Sequence, residues 1–217
     1  MIEEGPSEPA PEPQKSKSAL IIGVVVTALV LVGVGLWLAL GSLGRSSFES
    51  LVTVTREAEG DQIWLDYFIA QDCLVDAVVE TGDLELGFTE SQDLLDQTDA
   101  LSRHVNASLD RFAELGIQPW QGPVLAAREA IVDHYEVWED HLAESATVLQ
   151  GIDSEPSSIL QGVQTWINLV VEATEPIEQT FNDAGSAFEE AAASEEQLAS
   201  IETLFVPADV ACTRTAV

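Results

Sequence analysis

The chain has 217 residues, with 38 acidic against eight basic side chains and a formal net charge of −30. A field of that sign repels the phosphates of DNA and RNA and anionic lipid headgroups, which removes nucleic-acid binding from the plausible functions. With 46% hydrophobic residues and only two cysteines, the composition suits a core-forming helical protein and not a disulfide-dense scaffold.

The first 18 residues, rich in Pro and Glu from Gly5 to Pro13, cannot assemble a core, and a disordered cytoplasmic leader is expected. From Leu20 to Leu40 no charged side chain occurs. About 20 apolar residues rising ~1.5 Å each match the ~30 Å hydrocarbon layer of a bilayer, so residues 19–43 are expected to form a transmembrane helix. Ala39-Leu40-Gly41 has the form of a signal-peptidase site, but the apolar run is longer than an ordinary signal core, which favours an uncleaved anchor. Ala19, Gly23, Thr27, Gly35 and Ala39 fall on one line of small side chains, a surface on which membrane helices pack closely. That line predicts a parallel homodimer or contact with another membrane protein. Lys15 and Lys17 before the run, against Arg45 and Arg56 after it, bias the N-terminus to the cytoplasm and place residues 44–217 outside it.

Thirty-four of the acidic residues lie in that outer part, with six Arg and no Lys. Amphipathic periodicity there predicts long helices with short breaks. The first should span Phe48 to Glu80, carrying Ile63/Trp64, Tyr67/Phe68, Leu74/Val75 and Val78/Val79 on one stripe, with a kink at Gly60 and an end at Thr81-Gly82-Asp83. Thr89-x-x-Gln92 has the form of a capping box opening a second helix. Its seam is Leu94, Thr98, Leu101, Val105, Ser108, Phe112 and Leu115. A Pro/Gly-rich turn around Trp120 follows. Pro123 should open the third helix, which keeps near-heptad spacing through Tyr135, Trp138 and Leu142 to Gly151. The fourth should begin at Pro156, with Ile159/Leu160, Val163, Trp166/Ile167, Val170, Ile177, Phe181 and Phe188 on its apolar face. Pro176 inside that pattern should kink the helix or divide it near Thr174. Ser194-x-x-Gln197 announces a short last helix to about Phe205, and an extended tail closes the chain. An all-α fold results: an antiparallel four-helix bundle outside the membrane.

Cys73 and Cys212 both lie in the outer part, where an oxidising milieu permits a disulfide; two buried thiols are the alternative. Helix rises place both cysteines at a similar height above the membrane, within reach of each other.

The histidines offer little chemistry. His134 and His141 share a helix face but stand seven residues apart, ~10 Å in rise, too far to hold one ion. Neither Glu-x-x-His nor HExxH, a Walker loop, GxSxG or an EF-hand loop occurs. No catalytic residue, metal site or cofactor is therefore expected. His134, Trp138 and His141 remain the candidate for a small ligand, or for a weak cation held with Glu136, Asp140 or Glu144. Asn106-Ala107-Ser108 is a formal glycosylation sequon read as chance. An anchor followed by an extracytoplasmic four-helix bundle resembles the sensory half of bacterial chemoreceptors in layout. That layout implies no activity here, since neither a second span nor a signalling module is seen. The functional expectation is a non-enzymatic, single-pass interaction or scaffold protein with a protein partner, and secondarily a ligand-binding accessory to a transporter or sensor.

Overall fold

The computed structural model describes residues 46–60, 62–194 and 212. Among these the chain is all-helical and contains no strand. Helix α1 covers residues 46–59, α2 Gln62–Val75, α3 Leu84–Glu114, α4 Gly122–Gln150 and α5 Pro156–Ser194; a π-helical turn, Asp76–Glu80, extends α2. None of the described helices is long and apolar enough to cross a membrane. The apolar run 20–40, the small-residue line Ala19, Gly23, Thr27, Gly35 and Ala39, and the short helix expected after Ser194 lie outside the described residues.

α1 and α2 follow one another across the expected break at Gly60, whose N–H still bonds to the Arg56 carbonyl at 2.9 Å. The π-helical turn closes with Thr81 N–H on the Asp76 carbonyl, and Gly82 reverses the chain at φ +68°, a conformation costly for a side chain with Cβ. Helix α3 then starts six residues earlier than the Thr89-x-x-Gln92 motif predicts. Asp83 is the cap, its carboxylate accepting the Leu86 N–H at 3.0 Å. Thr89 is already inside the helix, its hydroxyl donating to the Glu85 carbonyl at 3.2 Å. An acidic cap also suits the positive end of the helix dipole.

The α3 seam is buried as its spacing requires: Leu94, Thr98, Leu101, Val105, Ser108 and Phe112 all face inward. Thr98 and Ser108 satisfy their hydroxyls on the Leu94 and His104 carbonyls. α4 opens with Gly122-Pro123 and buries Val124, Ala127, Ile131, Tyr135, Trp138, Leu142 and Leu149.

α5 runs unbroken from Pro156 to Ser194, so of the two outcomes expected at Pro176, a kink or a division near Thr174, the division does not occur. Pro176 and Glu172, whose carbonyl loses its usual N–H partner, are both exposed, so water can satisfy that carbonyl. Core contact in α5 is concentrated at its two ends, through Ile159, Val163 and Trp166 and through Ala184, Phe188, Ala191 and Ala192.

Neighbouring helices run in opposite directions. Arg111 on α3 pairs with Glu57 on α1, Phe48 rings meet Phe188 near the end of α5, and His134 on α4 faces Thr180 on α5. These pairs set α1 and the α3–α4 loop at one end of the bundle-like assembly. The α2–α3 turn occupies the other, where Val78 and Ile159 both lie close to Gly87. Cys73 and Cys212 stand at disulfide distance, with Sγ–Sγ 2.13 Å and Cα–Cα 4.9 Å.

Candidate functional site

Aromatic and imidazole rings from three helices form the middle of the interior. Trp64, Tyr67 and Phe68 of α2 meet Tyr135, Trp138 and His141 of α4, with Trp64 and Trp138 centroids 5.0 Å apart at 74°. Phe112 of α3 stacks edge-on to Tyr135 at 5.4 Å. Edge-to-face contacts of this kind add to area burial because each ring edge meets a neighbour's electron-rich face.

Polar groups are threaded through this belt at three places. At the break between α1 and α2 the Ala58 carbonyl accepts from Trp64 Nε1 at 2.8 Å and lies 2.9 Å from His104 Nε2. Helix ends leave carbonyls without intrahelical partners, and two rings from α2 and α3 serve this one. Next to it, the Tyr135 hydroxyl donates to Glu59 Oε1 at 2.9 Å. Burial raises the Glu59 carboxyl to about 7, with the Tyr135 hydrogen bond pulling the other way. Burial and the adjacent carboxylate push Tyr135 above the usual phenol range.

The second place is His134, whose Nδ1 lies 2.9 Å from Thr180 Oγ1. Thr180 has one hydroxyl proton and reaches the Pro176 carbonyl at 3.0 Å. With that proton spent on the backbone, His134 donates from Nδ1 as a neutral imidazole. The third is His141, with Tyr67 Oη at 3.4 Å and Ser145 Oγ at 3.5 Å from Nε2. Its Nδ1 is buried without a hydrogen-bond partner. Burial lowers both histidines to about 4, so both are neutral near pH 7.

His134, Trp138 and His141 therefore share a helix without sharing a site. His134 looks to α5, where it meets Thr180 and Phe181; His141 looks to α2. No group of three His, Cys, Asp or Glu side chains able to hold a metal is found among the described residues, and the carboxylates Glu136, Asp140 and Glu144 gather no such set with His141. The Ser145–His141 approach has the residue types of a nucleophile and its base. It lacks the third group that would orient the imidazole, since Nδ1 has no partner, and Ser145 is fully buried.

Sequence reasoning missed Glu59, Tyr67, Tyr135 and Ser145 as polar members of the interior. Tyr67 was legible on the apolar stripe, but Glu59, next to Gly60, looks like part of a solvated break. Only the antiparallel register that brings α4 alongside reveals its partner. Compared with protein-family models, curated proteins and solved structures, the chain has no match.

Proposed function

We propose that the chain is a single-pass membrane protein whose residues 44–217 form an acidic antiparallel four-helix bundle outside the cytoplasm, acting as a non-enzymatic interaction or scaffold module. The observation that carries this reading is the contrast between interior and surface. The histidines and tryptophans that would build a ligand site are spent on packing, while Val79, Leu86 and Leu160 are exposed near the end remote from Ser46. Three of the five exposed large hydrophobic side chains among the described residues lie towards that end, with Val171 midway along α5 and Trp120 at the other, and exposed apolar groups on a strongly charged body suit a protein partner. A disulfide-paired Cys73 and Cys212 suits an oxidising compartment, and the uncharged run Leu20–Leu40 supplies the anchor. The small-residue line through Gly23 and Gly35 suits homodimerisation or packing against another membrane helix.

The test is topology in intact cells expressing the full chain. It should sediment with membranes, and protease added outside should digest the bundle while sparing a tag placed before Met1. Protection of the bundle, or recovery in the soluble fraction, overturns the reading. The second reading, a small-ligand or cation accessory module, is favoured by the partnerless His141 Nδ1 beside Tyr67 and Ser145. A rise in Tm with micromolar divalent ions would move the assignment there.

A further inference from the structure

The end of the bundle that carries Ser46 has two properties the other end lacks. Its α3–α4 turn displays Trp120 with 60% of its surface exposed. The turn is braced: Ile117 is buried, the Gln118 N–H donates to Gln121 Oε1 at 2.7 Å, and the Gln121 N–H donates to the Gln118 carbonyl at 2.9 Å. An indole held outward by a pinned turn is a fixed feature of the surface. The second property is charge. Every described basic residue lies in the half of the bundle nearer this end: Arg103, Arg111 and Arg128 by their places on α3 and α4, and Arg56 on α1 next to Glu57, which pairs with Arg111. Carboxylates occur in both halves, with Glu49, Glu57, Glu114, Glu129 and Glu190 in this one, so the arginines reduce the negative field on the Trp120 side without reversing it.

Register places this end beside the point where the chain enters. The Glu57–Arg111 pair and the Phe48–Phe188 contact align α1 with the last turns of α3 and α5, which sets Ser46 level with the α3–α4 turn. Residues 41–45 separate the uncharged run from Ser46. Five residues span at most ~18 Å, which bounds the reach of the chain between the run and Ser46. Tryptophan is enriched at membrane–water interfaces because its ring is apolar and its N–H needs a wet partner.

We propose that the Trp120 turn is the lipid-facing foot of the bundle, its indole seated in the interfacial layer of the bilayer that anchors the chain. The proposal rests on the anchored topology above, and it adds that the body stands on the membrane by one fixed end, directing Val79, Leu86 and Leu160 away from it. Arginines at the foot approach headgroups, and the more acidic half projects outward.

Bromine on lipid acyl chains quenches nearby tryptophan, which gives a direct readout on the full chain. It is reconstituted into phosphatidylcholine vesicles with and without acyl-chain bromine, as W37F to remove the tryptophan inside the uncharged run. Expected are flotation with the vesicles and a loss of emission in the brominated ones that disappears in W37F/W120F. Trp64, Trp138 and Trp166 are buried in the bundle and serve as the unquenched internal reference. If W37F floats but shows no loss beyond that of W37F/W120F, the foot is overturned while the anchor stands. If the chain does not float at all, the anchored reading falls with it.

Discussion

Glu59 accepts its hydrogen bond from Tyr135 in surroundings that raise its carboxyl to about 7, against 4.5 for a free one. Its folded form therefore holds a proton that the unfolded chain releases between pH 4.5 and 7. Stability from this residue is complete below pH 4.5, falls as pH rises, and is lost above about 7. Part of Glu59 stays in contact with solvent, which reduces the full linkage value to about 1–3 kcal/mol. E59Q keeps an acceptor for Tyr135 and cannot ionise. It should melt above the wild type at pH 8 and level with it at pH 4.5; an equal offset at both values would show that Glu59 does not titrate there. His134 and His141 act with the opposite sign. Lowered to about 4, they stay neutral in the fold while the unfolded chain takes up protons below pH 6.5. The stability they supply is whole above 6.5 and lost as pH falls through 4. Two such groups oppose one carboxyl, so the three residues together make acidification from 6.5 to 4.5 destabilising, against the relief of repulsion among the surface carboxylates. In H134Q/H141Q, Tm should fall less, or rise more, over that interval than in the wild type, whatever the variant's absolute stability. An unchanged slope would assign the acid sensitivity to other groups.

Helix boundaries are decided by single contacts of the kind Asp83 makes. Its carboxylate on the Leu86 N–H is the cap of a 31-residue helix, and D83A should cost about 1 kcal/mol in denaturant melts, with D83N close to neutral. Gly87, one turn further, is where α3 meets the π-helical turn and α5. A Cβ there would stand 2.4 Å from Val78 Cγ2 and 3.7 Å from Ile159 Cγ2. G87A should destabilise by about 1–3 kcal/mol, and V78A should recover part of that loss in the double variant, because the nearest clashing atom belongs to the side chain it truncates. Strictly additive losses would mean that the backbone, not Val78, resists the added methyl. The same elements show what a sequence discloses. The α3 seam from Leu94 to Phe112 was legible because each seam position meets the core in every turn, and Gly60, Gly82 and Pro123 mark breaks by their own backbone preferences. Thr89-x-x-Gln92 misled because a capping pattern is equally compatible with a helix interior once Asp83 has provided the cap. Pro176 does not divide α5, because the cost of a missing N–H depends on whether water reaches the freed carbonyl. Spacing put His134 and His141 on one face, but that face lies between α2 and α5, and the sequence cannot say which neighbour each ring meets.

On the scale of the whole chain, one covalent link joins distant parts of the sequence. Cys73 lies on α2 just before the π-helical turn, Cys212 is 139 residues later, and the Cys212 N–H also bonds to the Asp72 carboxylate. A loop of that length removes so many unfolded conformations that closing it stabilises the fold by ~4–5 kcal/mol in the chain-entropy account. That is a large part of the ~5–15 kcal/mol typical of a domain. The two cysteines differ in what else they do. Cys73 is 2% exposed and packs in the interior, whereas Cys212 is half-buried. C212S should remove the crosslink and little packing; C73S should lose the crosslink and also place a hydroxyl where a thiol was buried, at a further cost of about 1–2 kcal/mol. Reduction of the wild type separates the contributions, since it opens the link without altering volume. Denaturant midpoints should therefore fall in the order wild type, reduced wild type together with C212S, then C73S. If reduction leaves the midpoint where it was, the tail is held by noncovalent contacts, and the 139-residue closure contributes nothing to the stability of the bundle.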